Sequence, residues 1–163
     1  NIANKISSSI VNYLNILEIN TELLDIYYQR SWATITEKEQ NINFHTHSQS
    51  NISFAYYLLK PPSSGGIIFK SNELQNEIAQ NIFTNSKLEK SLINKANAYN
   101  SERSMFDLKQ DSIIIFPSKT PHATTPNNSG QTRISISGDV SIMLKDSKGF
   151  EHLMPSFKNW TKF

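Results

Sequence analysis

Apolar residues in the first part of the chain recur at helical spacing. Ile6, Ile10, Tyr13, Leu14 and Leu17 share one helix face, and Leu23, Leu24, Tyr27 and Tyr28 predict a second short turn or helix, so residues 1–30 read as helical. The pattern changes at Trp32. Trp32, Thr34 and Thr36 begin an alternation of period two, Phe44 to Ser48 continues in extended form, and Ser53 to Lys60 is rich in strand formers. Pro61-Pro62-Ser63-Ser64-Gly65-Gly66 is a turn by composition, after which Gly66 to Lys70 resumes as a strand. Asn72 to Ser104 is polar with apolar points at Leu74, Ile78, Ile82, Leu88, Leu92 and Ile93. That pattern predicts a helical insertion, either a lid or a surface excursion. Ile113 to Phe116 is a buried strand stopped by Pro117, and His122 to Thr125 with Gln131 to Ser137 predicts a hairpin across Pro126 to Gly130.

Many short strands between turns imply a mainly β fold. A double-stranded β-helix of the jelly-roll or cupin kind is expected, with N-terminal helices and a helical insertion. A length of 163 residues fits one domain, 1–163, with its β core at about 32–70 and 105–145. A domain of this size buries roughly 70% of the surface that its unfolded chain would expose.

Composition narrows the chemistry. There are 16 basic and 14 acidic residues, for a net charge of +2, and the only arginines are Arg30, Arg103 and Arg133. No basic patch stands out, so nucleic acid is not an expected partner. The absence of cysteine excludes disulfides, thiolate metal sites and a cysteine nucleophile, which leaves histidine and carboxylate as metal ligands. The longest apolar runs are strand-sized, so no membrane span is expected, and a soluble cytoplasmic protein is the default. The chain opens at Asn1 without methionine, as a trimmed chain would.

His45 and His47 are spaced i, i+2, which on a strand puts both rings on one face. His122 lies far downstream, with Arg133 eleven residues beyond it. Three imidazoles and an arginine suit a mononuclear metal site with an anion beside it, and suggest an iron oxygenase. The residue types alone leave other uses open: surface histidines or a structural zinc site, a turn residue at His122, an acidic partner for Arg133, and a packing role for Tyr57. Trp32 and Trp160 read as packing anchors, and His152 as a surface residue.

The segments HTHSQSNISFAYYLLKPPSSGGIIF and DSIIIFPSKTPHATTPNNSGQTRISIS together resemble the Fe(II)- and 2-oxoglutarate-dependent oxygenases. The likeness is to a bacterial and phage group with an H-x-H pair and, more distantly, to the prolyl hydroxylases. It runs from about Trp32 to Ser137. The resemblance implies that His45, His47 and His122 bind Fe(II) on one face of an octahedron, leaving room for cosubstrate and oxygen. His47 stands where better-known members carry aspartate, so the ligand set here is one unit more positive. Arg133 matches the arginine that grips the distal carboxylate of 2-oxoglutarate, Ser135 on the same strand face adds a hydroxyl, and Tyr57 matches a tyrosine that points at the cosubstrate. Tyr56 should face the other way. The implied reaction is hydroxylation of an unactivated C–H bond by O2 and 2-oxoglutarate, with release of succinate and CO2. The substrate, small molecule or peptide, and the oligomeric state are not written in these residues. Two further readings are a three-histidine cupin-type oxygenase that does not use 2-oxoglutarate and a non-catalytic jelly-roll binding module.

Overall fold

The structure is a computed structural model and describes every residue except 72–75, 80–81, 84–92, 96, 98, 147–148 and 150. Helix α1 (Ile2–Ile16) opens the chain, capped by the Asn1 side chain, which accepts a hydrogen bond from the Ala3 amide at 2.9 Å. Its apolar stripe, Ile6, Ile10 and Leu14, is buried.

Among the described residues seven strands follow: β1 (Leu24–Thr36), β2 (Ile52–Leu59), β3 (Ile67–Lys70), β4 (Arg103–Phe106), β5 (Ile113–Pro117), β6 (His122–Thr124) and β7 (Arg133–Leu144). They form a four-stranded sheet in the order β1-β7-β2-β5 and a three-stranded sheet in the order β4-β3-β6. Every pairing between these strands is antiparallel. Phe69 on β3 meets Phe116 on β5 edge to face at 4.8 Å, joining the two sheets.

Alternation along β7 sorts the molecule into two regions. Ile136, Val140, Ile142 and Leu144 join Ile52, Phe54 and Tyr56 of β2 and the stripe of α1 in one hydrophobic cluster. The core therefore lies between the helix and the outer face of the large sheet. Arg133, Ser135, Ser137 and Asp139 project from the other face, together with Ser53, Ala55 and Tyr57 of β2.

A β-bulge lets β1 serve both faces. Tyr28 pairs with Val140 and Arg30 with Asp139, so Gln29 is the extra residue. Leu24, Ile26 and Tyr28 consequently face the helix, whereas Arg30, Trp32, Thr34 and Thr36 face inward. Gly138 permits close packing at this point. A Cβ there would lie 2.6 Å from the Phe54 ring and 2.9 Å from the Arg30 carbonyl oxygen.

Three sequence expectations need correction. The helical reading of residues 1–30 stops short: α1 ends at Ile16, a 3-10 turn spans Thr21–Leu23, and Leu24 already begins β1. Tyr27 and Tyr28 are strand residues whose spacing satisfied helix and bulged strand alike. The predicted hairpin is absent because β6 and β7 belong to different sheets. Its Pro126–Gly130 segment is a crossing between sheets, held by the Asn127 side chain, which donates to the Thr36 and Gln131 carbonyls at 2.9 and 2.8 Å. Trp160 is 54% exposed, too open for a packing anchor. About half of the residues under the helical reading of Asn72 to Ser104 lie outside the described residues, and its end is the start of strand β4.

Candidate metal centre

Backbone pairing brings two of the histidines together. His45 and His122 exchange both amide–carbonyl hydrogen bonds at 3.0 Å, which makes them a directly opposed antiparallel pair. Their ring centroids are 4.2 Å apart. His47 is anchored to the neighbouring loop by its amide, 2.9 Å from the Ser118 carbonyl, and its ring lies 5.1 Å from each of the other two. The i, i+2 spacing thus works as predicted, although the segment is extended loop with one bridge rather than a regular strand. One ring nitrogen from each histidine falls within 4.8 Å of the others.

The outer hydrogen bonds settle which nitrogens those are. His45 Nδ1 donates to the Asn43 carbonyl at 2.9 Å, and His122 Nδ1 donates to the Thr120 carbonyl at 3.0 Å. A carbonyl can only accept, so both rings place a proton on Nδ1, and Nε2 is the nitrogen each would turn to a metal. His47 Nδ1 faces a carboxylate, Asp139 Oδ1, at 2.6 Å. His122 is 7% exposed, and burial pushes its pKa down to about 4. The Thr120 carbonyl and Asp139 oppose that fall, while His45 and His47 add to it. His122 is therefore neutral at pH 7, as a metal ligand must be. The donor set fits a divalent transition ion that accepts imidazole nitrogen, Fe(II) included.

Asp139 was not singled out by the sequence. It is fully buried, and its second oxygen accepts from Arg30 Nε at 2.6 Å while Ser53 Oγ donates to the first at 2.8 Å. Burial pushes the Asp139 carboxyl up, but the bonds from His47, Ser53 and Arg30 outweigh it and hold the pKa below the ordinary value. Trp32 also departs from expectation. It lines the cavity beside His47, with ring centroids 5.7 Å apart, and the Arg30 guanidinium lies 5.1 Å over its ring. Phe116 packs on His122 at 4.7 Å and gives the pocket one aromatic wall.

The same cavity is lined by Tyr57, Arg133 and Ser135. The arginine is 2% exposed. Its Nη1 donates to the Ser64 carbonyl at 2.6 Å, and its Nη2 lies 3.3 Å from the hydroxyls of Thr36 and Thr124. Gly65, at φ +81°, turns the Pro61–Gly66 loop that presents the Ser64 carbonyl. Among the described residues no carboxylate pairs with Arg133. Burial lowers its pKa while Tyr57 opposes that. Tyr57 is 2% exposed, and its own pKa is raised by burial. Tyr56 points the opposite way, donating from its hydroxyl to Asp111 at 2.7 Å.

Residues 30–139 match the family model described as "Putative 2OG-Fe(II) oxygenase". The chain belongs to this family. The cofactors are accordingly Fe(II) and 2-oxoglutarate, and the His45–His47–His122 cluster is able to hold the metal. No curated protein matches the sequence. Among solved structures, an oxidoreductase of the 2OG-Fe(II) oxygenase family from Burkholderia pseudomallei aligns at 11% identity with a TM-score of 0.52, covering 72% of this chain and 45% of that one. AviO1 from Streptomyces viridochromogenes aligns at 11% identity and TM-score 0.48, covering 71% and 51%. EvdO2 from Micromonospora carbonacea var. aurantiaca, solved with 2-oxoglutarate, aligns at 12% and 0.47, covering 79% and 56%. The chain thus spans about half the length of the structures it resembles. The fold is the mainly β, double-stranded β-helix expected from the sequence. Among the described residues no helix is long and apolar enough to cross a membrane.

Proposed function

We propose that this oxygenase hydroxylates an unactivated C–H bond of a small-molecule or peptide substrate, using O2 and 2-oxoglutarate and releasing succinate and CO2. The observation that carries the reading is Arg133, a buried cation with no carboxylate partner among the described residues, in the cavity that also holds the histidine cluster. A buried charge of this kind is costly unless an anion joins it. A dicarboxylate reaching from the metal to Arg133 supplies that anion.

In this reading the Nε2 atoms of His45, His47 and His122 hold the metal, and their Nδ1 bonds fix each ring against rotation. When bound, Fe(II) with 2-oxoglutarate supplies the oxidising chemistry. Arg133 receives the distal carboxylate as a fork, with Ser135 adding a hydroxyl from two residues along β7. Tyr57, beside Ser135 across the β2–β7 pair, borders the same carboxylate. Phe116 keeps water off one side of the pocket, and Trp32 flanks the space where substrate enters beside His47.

Anaerobic addition of Fe(II), followed by 2-oxoglutarate, tests the reading. A visible charge-transfer band that appears only with both is expected. Iron binding without any response to 2-oxoglutarate would favour a three-histidine oxygenase that does not use it, a reading that the all-imidazole donor set supports. No iron binding would leave a jelly-roll binding module.

A further inference from the structure

Three neutral imidazoles bring no charge to a divalent cation, yet one carboxylate lies a single ring away. Asp139 is fully buried and receives only donors: His47 and Ser53 on one oxygen, Arg30 on the other. Two of the residues that hold it share one row with it across the large sheet, since Arg30 and Ser53 are both direct cross-strand partners of Asp139, while His47 reaches it from the neighbouring loop segment. His47 differs in this from the other two histidines, whose Nδ1 atoms bond to backbone carbonyls. A backbone carbonyl fixes a ring; a carboxylate fixes it and makes the far nitrogen a stronger donor to a metal. Arg30 is 53% exposed at its side chain and competes for the same carboxylate.

We infer that Asp139 is the positioning residue of the metal centre, holding His47 with Nε2 free and lending it negative charge, and that Arg30 limits how much of that charge reaches the ring. This rests on the proposal that the three histidines bind the metal. It accounts for His47 at a position where a charged ligand would otherwise be needed: the charge is present, displaced outward by one imidazole.

The two partners of the ion pair then have opposite effects, which a purely structural ion pair would not produce. In Asp139→Asn, Arg30 takes the amide oxygen and turns the NH2 toward His47 Nδ1. That nitrogen must now accept, the ring proton moves to Nε2, and the ligand is blocked. Co(II) affinity should fall about 10- to 100-fold, the range for loss of such an outer partner. In Arg30→Gln the carboxylate is left wholly to His47 and Ser53, and Co(II) should bind about two- to fivefold tighter, as expected for removing a half-exposed charge.

The experiment is chelator competition for Co(II) on wild type, Asp139→Asn and Arg30→Gln, with 15N spectra of the histidines in the metal-free proteins. Weaker binding in the first variant with the His47 proton moved to Nε2, and tighter binding in the second, is the expected result. Equal weakening in both, or unchanged affinity and tautomer in Asp139→Asn, overturns the inference while leaving the proposed function intact. A wild type that binds no Co(II) overturns both. Should Asp139→Asn fail to fold, Arg30→Gln decides alone: tighter binding supports the assignment, and unchanged or weaker binding refutes it.

Discussion

The two faces of β7 carry opposite chemistry, and the contrast separates what folds the protein from what it does. One face presents Ile136, Val140, Ile142 and Leu144 to helix α1. The other presents Arg133, Ser135, Ser137 and Asp139. In a sandwich the space between sheets is usually the apolar core. Here that space holds a buried arginine, a buried aspartate and a histidine cluster, and the main core has moved to the outside, under the helix. Stability and site chemistry are thus divided by strand parity, one residue apart along the same chain. Substitutions on the outer face should cost stability and spare the site; those on the inner face should do the reverse.

Deleting Gln29 should have the largest effect. The bulge is what allows Leu24, Ile26 and Tyr28 to face the helix while Arg30, Trp32, Thr34 and Thr36 face the pocket. Without it, one of the two sets must turn to the wrong side. We expect no cooperative thermal unfolding transition; a folded deletion variant that still binds Co(II) would show that the bulge does not set the register. Leu14→Ala comes next. Leu14 is 1% exposed in the helix–sheet core, and its truncation should cost about 2–5 kcal/mol in denaturant titrations. The contrast sharpens if Co(II) affinity of the variant, measured while it is still folded, matches wild type.

The smallest effect is a pH dependence from the inner face. Burial holds the His122 pKa at about 4 against 6.5 for the free side chain. Between those values the unfolded chain binds a proton that the folded metal-free protein does not. Its stability should therefore fall as pH drops from about 6.5 to about 4, with no contribution from this group above that window. Urea midpoints of the metal-free protein across that range check it, and Co(II) should flatten the upper part of the decline by competing with protons for the same nitrogen.

Much of this was legible in the sequence, for local reasons. The alternation of Gln131 to Ser137 marks the first half of β7 as a strand, and the H-x-H spacing needs only an extended backbone to bring two rings together. Other features depend on contacts distant in sequence. Asp139 lies 92 residues from His47, and nothing near it in the chain marks it as more than a strand aspartate. Its role comes from the register that sets it between Arg30 and Ser53. Trp32 looked like a packing residue because its neighbour in the pocket, His47, comes from another segment. The false hairpin after His122 had correct turn chemistry; which sheet each arm joins is a tertiary choice that turn residues do not encode. The helical reading of Leu23 to Tyr28 failed because a bulged strand and a helix can place apolar residues at the same spacing.

The central claim is that the inner face of β7 is built around Arg133 to receive the far carboxylate of the cosubstrate. It is tested most directly by comparing 2-oxoglutarate with 2-oxobutyrate, which lacks that carboxylate, in calorimetric titrations of the Co(II)-loaded protein. Wild type should prefer 2-oxoglutarate by more than about tenfold, the value of a buried charge-assisted hydrogen bond, and Arg133→Met should lose the preference while still binding both keto acids weakly. Equal affinity of wild type for the two acids, or an undiminished preference in Arg133→Met, would contradict the account.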